Sequence, residues 1–457
     1  MEESEIASLR RRIAGVQPVR AVGRVRSVEG TIIWVRGLAH QARIGDRLRL
    51  MRAAGPLGGE VLRIREELVA MLPDDGVEGV SQGDRVAVLG APGLAPSDGW
   101  IGRVIDPYGV PLDGAPIAPG PQLRSIRGSP PPAAWRRGLG ARLATGLAAF
   151  DTLLPIVRGQ RIGLFAGSGV GKSRLLAALA RGMAAEVVVL ALVGERGREL
   201  HDFVHDVLGP EGMARAVVVA ATSDRSPLER RRCAMAAMTV AEHFRDQGRQ
   251  VLFLADSITR FAEAHREVAI AAGELPALRG FPPSTAHQIM RLAERAGPGV
   301  AGSGDITAVF SVLVAGSDME EPIADILRGV LDGHTVLSRE IAERGRYPSI
   351  DILRSVSRSL PEAASPAENE ILLKVRQLLG AYSRSEAMIR AGLYRDGEDA
   401  VLDQAIRIWA ELDGFFAEAS PHGPAAAFSR LELLLRRAGS GTAGSFGAAV
   451  GRGRQVG

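Results

Sequence analysis

A glycine-rich loop between a short apolar strand and a helix is the feature that most constrains this chain. The loop reads Ala166-Gly167-Ser168-Gly169-Val170-Gly171-Lys172-Ser173. It follows a predicted strand over 161–165 and precedes a predicted helix over 174–183. In that context the backbone N–H groups of the loop and the helix N-terminus can hold phosphate groups. The sequence therefore predicts a nucleoside triphosphate site, with residues 167–173 around the phosphates.

Lys172 is one of only two lysines in a chain that has 54 arginines. A compact ammonium on a flexible stem can enter a ring of backbone N–H groups, whereas a planar guanidinium is too broad for that space. We therefore predict that Lys172 contacts the β- and γ-phosphates. The other lysine, Lys374, lies in an amphipathic helical stretch and is predicted to be a solvated surface residue.

Two acidic residues follow other predicted buried strands, and ligands bind at the carboxyl ends of parallel strands. Asp256 is predicted to hold Mg²⁺ together with the hydroxyl of Ser173. Glu195 is predicted to polarise the water that attacks the γ-phosphate, and Arg196 beside it is a further candidate catalytic residue. Without the loop upstream, Asp256 is equally consistent with a helix cap or turn, and a charged, exposed turn would be the better interpretation of Glu195.

The arrangement of apolar runs predicts an α/β fold with flanking domains. Four runs predict parallel strands buried on both faces, at 187–193, 216–221, 251–255 and 306–314. Shorter β-rich runs between 22 and 89 predict a small closed barrel, and the Pro/Gly-rich stretch 90–132 predicts a connector. Helical patterns alone follow residue 361, over 368–379, 385–392 and 399–419. We predict a helix at 1–20, a barrel at 21–92, a core at 93–362, a helical domain at 363–438 and a disordered tail at 439–457.

Composition restricts the classes of protein that the chain can belong to. No apolar run approaches the roughly 20 residues that span a bilayer, the N-terminus is acidic, and Cys233 is the single cysteine. These features predict a cytoplasmic protein. Aromatic residues make up 4% of the chain and do not cluster among basic residues, so we expect no nucleic-acid partner. The amphipathic stretch at 6–16 can pack on the chain itself, on a partner helix or on an anionic membrane.

Five motifs together carry a family resemblance, at 165–173, 194–199, 221–228, 256–262 and 331–334. In this order they resemble the flagellum-specific ATPase of type III protein export, over roughly residues 22–416. The resemblance implies a relative of the rotary ATP synthase α and β subunits, with a β-barrel, a RecA-like P-loop ATPase core and a C-terminal helical domain. It also implies a homohexamer that binds ATP and Mg²⁺ between neighbouring subunits.

The same resemblance assigns roles to single residues and implies partners. Arg358 matches the arginine finger that reaches the site of the adjacent subunit, and Tyr347 matches a ring near the adenine. Arg174 stands where threonine is common, which removes a possible α-phosphate contact, but it remains a candidate nucleotide-binding residue. Phe281 replaces a common tyrosine. The implied partners are an export regulator at the N-terminal helix, a stalk-like coiled-coil protein, export chaperones and their substrates. The export gate would hold the protein at the cytoplasmic face of the inner membrane.

Several functions share these motifs. An export ATPase detaches chaperones from substrates and unfolds them, in a flagellum or in an injectisome that serves virulence. The catalytic subunit of a rotary ATP synthase uses the same core in a different assembly. A hexameric RNA translocase resembling the Rho terminator also has such a core, but it needs an aromatic RNA-binding patch that this sequence lacks. We favour the flagellar export ATPase because the motif set is closest to that family.

Overall fold

The structure is a computed structural model that describes residues 20–314 and 319–439 of the 457. The predicted N-terminal helix, apart from Arg20, lies outside the described residues. The predicted disordered tail lies outside them as well, apart from Gly439. Within the described ranges, no helix combines the length and the apolarity needed to cross a membrane.

Six antiparallel strands close into an N-terminal barrel, as the sequence predicts. Their order around the barrel is β1-β2-β5-β4-β3-β6, and its interior is apolar because alternate side chains point inward. In β3, for example, Leu48 and Leu50 are buried while Arg49 between them is exposed. The strands are β1 Val22–Glu29, β2 Ile32–Arg36, β3 Arg47–Arg52, β4 Gly55–Arg65, β5 Leu68–Pro73 and β6 Arg85–Gly90.

The core of the molecule is an eight-stranded sheet whose strands are parallel except at one edge. The order is β16-β15-β10-β14-β13-β11-β12-β8, and only β16 runs antiparallel to its neighbour. The four predicted apolar runs are all strands of this sheet, which confirms the α/β prediction. The sheet contains β8 Val104–Ile105, β10 Arg161–Ala166, β11 Val187–Glu195, β12 Ala216–Thr222, β13 Val251–Asp256, β14 Ile306–Leu313, β15 Gly333–Leu337 and β16 Ile350–Ser357.

The sequence did not predict three strands of this sheet, namely β8, β15 and β16. The stretch that we predicted to be only a connector contributes β8, which pairs with Val218 and Val219 at the edge of the sheet. It also forms a two-stranded sheet from β7 Gly93–Leu94 and β9 Arg124–Ser125. Two-residue strands are too short for any periodicity to reveal them. At the other edge, β16 alternates irregularly between buried and exposed positions, so no apolar run marks it.

Helices cover both faces of the sheet and bury an apolar layer on each side. One layer lies mainly beneath α5 and α6, and the other beneath α2 and the C-terminal helices. A π-helical segment, Phe203–Leu208, separates α3 from α4. The helices of the core are α1 Ala148–Asp151, α2 Lys172–Gly182, α3 Gly197–Asp202, α4 Gly209–Met213, α5 Pro227–Asp246, α6 Ile258–Ala271, α7 Ser284–Arg295, α8 Pro322–Val330 and α9 Arg339–Glu343.

Three helices form the C-terminal part of the described chain, namely α10 Pro366–Arg390, α11 Ala400–Phe415 and α12 Gly423–Gly439. The prediction of two separate helices over 368–379 and 385–392 was wrong, because α10 is continuous. A capping box of Ser365 and Glu368 starts α10, and its interior tolerates Gly380 at a cost of about 1 kcal/mol. The sequence pattern also did not predict α12. Lys374 lies in α10 and is half-buried there rather than fully solvated.

A buried ionic cluster joins the barrel to the core. Glu60 of β4 accepts hydrogen bonds from Arg127, Arg231 and Arg232 at 2.6, 2.9 and 2.9 Å. Arg231 and Arg232 belong to α5, and Arg127 follows β9. Breaking a buried pair by removing one partner leaves the remaining charge uncompensated, which typically costs about 3–5 kcal/mol. The cluster therefore fixes the barrel against α5.

Candidate active site

The glycine-rich loop connects β10 to α2, as the sequence predicts. Gly169 and Gly171 have φ values of +78° and +90°, a region that L side chains rarely adopt. A Cβ atom at Gly171 would also lie only 3.0 Å from the ring of Tyr347. The hydroxyl of Ser349 donates a hydrogen bond of 2.7 Å to the carbonyl oxygen of Val170, whose side chain is buried. The loop is thus held in shape by the segment that precedes β16.

Lys172, Glu195 and Asp256 come together at the carboxyl ends of β10, β11 and β13. The ammonium of Lys172 donates a hydrogen bond to Asp256 Oδ1 and lies 4.0 Å from Glu195 Oε1. Only 11% of the Lys172 side chain is exposed. Three residues that are 23 to 84 positions apart in the sequence therefore form one charged group, since parallel strands end at the same edge of the sheet.

Ser311 is a member of this group that the sequence analysis did not identify. It lies in β14, between β10 and β13, and its hydroxyl donates a hydrogen bond of 2.7 Å to Asp256 Oδ1. The signal was present, because Ser311 is a polar residue inside the apolar run 306–314. Its hydrogen bond and that of Lys172 both hold the Asp256 carboxylate in one orientation.

The carboxyl of Glu195 has a raised pKa of about 7. Burial is the largest cause, followed by the negative charge of Asp256 and a hydrogen bond with Glu199, while Lys172 acts in the opposite direction. A carboxyl group that titrates near neutral pH is suited to accept a proton during a reaction and to release it afterwards. This property separates Glu195 from an ordinary exposed turn residue.

The raised pKa leads to a prediction about pH. A base acts only when it is deprotonated, so kcat/KM for ATP should fall by about tenfold for each pH unit below about 7. ATP affinity measured over the same range separates loss of catalysis from loss of binding. A kcat/KM that stays constant well below neutral pH would contradict the assignment of Glu195 as the base.

An open cleft of about 1080 Å³ is lined by the loop, Lys172 and Glu195, and Asp256 is buried directly behind Lys172. The predicted residues Ser173, Arg174, Arg196 and Tyr347 all line it. Arg196 is 81% exposed and lies 3.7 Å from Glu199, so it can move toward a ligand at little cost. The cleft has further lining residues that the sequence analysis did not single out, namely Glu199, Ser223, Arg230, Thr259, Arg260, Glu263 and Glu321.

Among the predicted site residues, Val170 and Asp256 are buried beside the cleft, whereas Arg358 lies far from it. Arg358 follows β16, whose last residue, Ser357, pairs with Gly333 at the start of β15. Because β15 runs parallel to β10, Arg358 lies near the amino-terminal ends of these strands, whereas the loop lies at the carboxyl end of β10. Its guanidinium is exposed and donates a hydrogen bond of 3.2 Å to the carbonyl oxygen of Arg328. Arg358 therefore does not contact a nucleotide held by the loop of its own chain.

The residues at the cleft fit a magnesium ion that arrives with a nucleotide. Mg²⁺ usually takes one or two protein oxygens and completes its shell with phosphate oxygens and water. The Ser173 hydroxyl and the Asp256 carboxylate supply oxygens of this kind. Residues 20–314 and 319–439 contain no group of three or more His, Cys, Asp or Glu residues that could hold a metal ion by themselves.

Two family profiles match separate parts of the chain. The ATP synthase alpha/beta family, nucleotide-binding domain, matches residues 146–357, and the T3SS EscN ATPase C-terminal domain matches residues 364–420. The first match contains the loop, Glu195 and Asp256. Together, the fold and the cleft define a P-loop ATPase related to the α and β subunits of the rotary ATP synthases.

Individual relatives show which family within this class the chain belongs to. The flagellum-specific ATP synthase of Caulobacter vibrioides is 43% identical over 411 residues, which are 88% of this chain and 93% of that protein. The type 3 secretion system ATPase of Xanthomonas euvesicatoria is 41% identical over 402 residues, 87% of this chain and 90% of that protein. The assembled ATPase EscN of enteropathogenic E. coli, solved in complex with its central stalk EscO, has a TM-score of 0.82 at 38% identity, covering 90% of this chain and 100% of EscN. The chain belongs to the family of flagellum-specific and type III secretion ATPases, and it is an ATP-hydrolysing enzyme.

Proposed function

We propose that this chain forms a homohexamer that hydrolyses ATP between neighbouring subunits and energises flagellar type III protein export. The observation that carries the proposal is the convergence of Lys172, Glu195 and Asp256 beside the glycine-rich loop. A lysine at a phosphate loop, a carboxyl that titrates near pH 7 and a second carboxylate are what phosphoryl transfer to water requires. The similarity to an assembled EscN supports the ring.

Each of these residues at the boundary between two subunits then has a role in ATP hydrolysis. Backbone N–H groups of residues 167–173 and the ammonium of Lys172 bind the phosphates, so Lys172 exchanges its contact with Asp256 for phosphate oxygens. Glu195 orients the attacking water and accepts its proton, while Arg196 and the neighbour's Arg358 neutralise the charge that develops on the γ-phosphate. Ser173 and Asp256 would hold Mg²⁺, which neutralises phosphate charge when it is bound.

In this proposal, two other residues bind the nucleotide away from the γ-phosphate. The ring of Tyr347 packs against Gly171 and is 45% exposed toward the cleft, which leaves a face on which a base can stack. Arg174 lies in the first turn of α2 and lines the same cleft, so its guanidinium can contact the nucleotide.

The partners and the location follow from the family. EscN binds a central stalk, EscO, and we propose an equivalent coiled-coil stalk for this chain. We also propose that an export regulator binds residues 1–20, that chaperones and their substrates dock on the ring, and that the ring works in the cytoplasm, at the export gate of the inner membrane. We propose no role in nucleic-acid binding.

An injectisome ATPase is the second candidate function. The Xanthomonas relative and EscN are both secretion ATPases, and their identities of 41% and 38% lie close to the 43% of the Caulobacter flagellar relative. The match to a type III C-terminal domain over residues 364–420 favours either export function over the catalytic subunit of an ATP synthase. Restoration of motility in a strain that lacks its flagellar export ATPase separates the two export functions.

The two lysines offer a matched test of the ATPase site. Lys172→Arg should lower kcat by about 10²-fold or more, because a guanidinium keeps the charge but does not fit the loop. Lys374→Arg should leave turnover unchanged, since Lys374 lies in α10 and does not line the cleft. The measurement is steady-state ATP hydrolysis by the assembled protein. Equal turnover in the two variants would contradict the proposal.

A further inference from the structure

The backbone beside Arg358 is held by hydrogen bonds at the amino-terminal ends of β10 and β15. Gln160 immediately precedes β10, Asp332 immediately precedes β15, and Ser357 is the last residue of β16. The amide Nε2 of Gln160 donates hydrogen bonds of 3.1 Å to the carbonyl oxygen of Asp332 and of 3.1 Å to Ser357 Oγ. The same carbonyl oxygen accepts the backbone N–H of Arg358 at 3.0 Å. One side chain therefore joins the start of β15 to the end of β16, next to Arg358.

The side chain of Gln160 is buried, with 0% exposed, and its amide is fully hydrogen-bonded. Both of its N–H groups serve the two bonds given above, and its Oε1 accepts the backbone N–H of Val157 at 2.9 Å. Ser357 Oγ in turn donates a hydrogen bond of 2.6 Å to the carbonyl oxygen of Pro155. A buried polar network whose members are satisfied makes the local structure rigid, so the backbone at Ser357 has one defined position.

The start of β15 also packs closely against the end of β16. A Cβ atom at Gly333 would lie only 2.6 Å from the carbonyl oxygen of Val356. The carboxylate of Asp332 is fixed as well, because Arg161 donates to it from its backbone N–H at 2.9 Å and from its guanidinium at 3.1 and 3.2 Å. The backbone that carries Arg358 is therefore held firmly, whereas the guanidinium of Arg358 is exposed.

An arginine that acts on a transition state must be placed accurately, because a displacement of about 1 Å can cost about 10²-fold in rate. We propose that Gln160 is a positioning residue for ATP hydrolysis, which fixes the backbone of Arg358 so that its guanidinium reaches the nucleotide of the neighbouring subunit. This inference rests on the proposed role of Arg358 across the subunit boundary. Although Gln160 immediately precedes β10, which leads into the phosphate loop of its own chain, its effect is on the neighbour's site.

The first test replaces Gln160 with methionine, which keeps the length of the side chain and removes all of its hydrogen bonds. We expect kcat of the assembled protein to fall by about 10- to 100-fold, because the end of β16 can then shift. ATP affinity should stay at the parental value, since the phosphate loop is unchanged. Gln247→Met, at an exposed position just after α5, is the matched control and should hydrolyse ATP like the parent. Parental kcat in Gln160→Met, or a loss confined to ATP affinity, overturns the inference.

Ser357→Ala provides an independent test if Gln160→Met does not fold. It removes the hydroxyl that accepts one of the two amide N–H groups and donates to Pro155. We expect the same pattern, with a lower kcat and an unchanged ATP affinity. A parental kcat in this variant also overturns the inference.

Mixed rings show which nucleotide site Gln160 serves. Mixing Gln160→Met with Lys172→Ala should restore activity, because some boundaries then pair an intact loop with a correctly held Arg358. Mixing Gln160→Met with Arg358→Ala should not, since every boundary then lacks a correctly held arginine. The reverse pattern, or no recovery in either mixture, overturns the inference. If Arg358→Ala and Lys172→Ala also fail to complement each other, the proposed role of Arg358 across the boundary fails first, and this inference fails with it.

Discussion

Replacing Arg358 with alanine is expected to lower ATP turnover by about 10³-fold or more, the range measured for arginine fingers in other phosphoryl-transfer enzymes. The reason is electrostatic, because a guanidinium that reaches the γ-phosphate neutralises charge that develops only in the transition state. ATP binding should change little, since the charge that Arg358 neutralises develops mainly in the transition state and not in bound ATP. Steady-state hydrolysis and nucleotide affinity, measured on the same preparation, test both parts.

Mixing two inactive variants tests whether Arg358 acts on a neighbouring subunit. Arg358→Ala retains an intact loop, and Lys172→Ala retains an intact Arg358. In a mixed ring, some boundaries pair the intact loop of one subunit with the intact arginine of the next, so activity should return. Arg436→Ala serves as the control for the loss of an exposed arginine, and it should hydrolyse ATP normally. No recovery on mixing would mean that Arg358 does not act across a boundary.

Replacing Glu195 with glutamine is expected to lower kcat by about 10²–10⁴-fold, the typical contribution of a positioned general base. An amide has nearly the shape of the carboxyl group but cannot take a proton from water. ATP should still bind, and folding should be unaffected, because the substitution removes a half-buried charge that Asp256 repels. Single-turnover hydrolysis together with nucleotide binding separates these effects.

Glu199 provides the matched control for Glu195. It also lines the cleft and forms a hydrogen bond with Glu195, but it lies on α3 rather than at the strand end. Glu199→Gln should therefore cost much less activity than Glu195→Gln. If Glu195→Gln keeps more than about a tenth of the parental turnover, another group performs the proton transfer, because loss of the base costs at least about 10²-fold.

The sequence predicted those parts of the fold whose signal is local. Alternation marks the barrel strands, and continuous apolar runs mark β11 to β14, since strands covered on both faces contain few polar residues. The loop predicted its own strand and helix. The carboxyl ends of those same runs then predicted where Glu195 and Asp256 lie, because parallel strands end at a common edge of the sheet.

The parts that were not predicted depend on contacts between distant residues. The pairing of β8 with β12 joins Val104 to Val218, and no sequence pattern near Val104 predicts that partner. The hydrogen bond from Ser311 to Asp256 likewise spans 55 positions. Tyr347 and Arg358 entered as candidates through family resemblance alone, since no local pattern distinguishes one arginine among 54.

The edge strand β16 has a mechanical consequence for a ring. Just before it begins, Ser349 holds the phosphate loop of its own subunit, and just after it ends, Arg358 is exposed at the far side of the sheet. Its eight residues rise about 3.3 Å each, so the strand extends over roughly 26 Å. In the proposed hexamer, this one strand therefore connects the phosphate loop of one nucleotide site to the arginine that serves the next site around the ring.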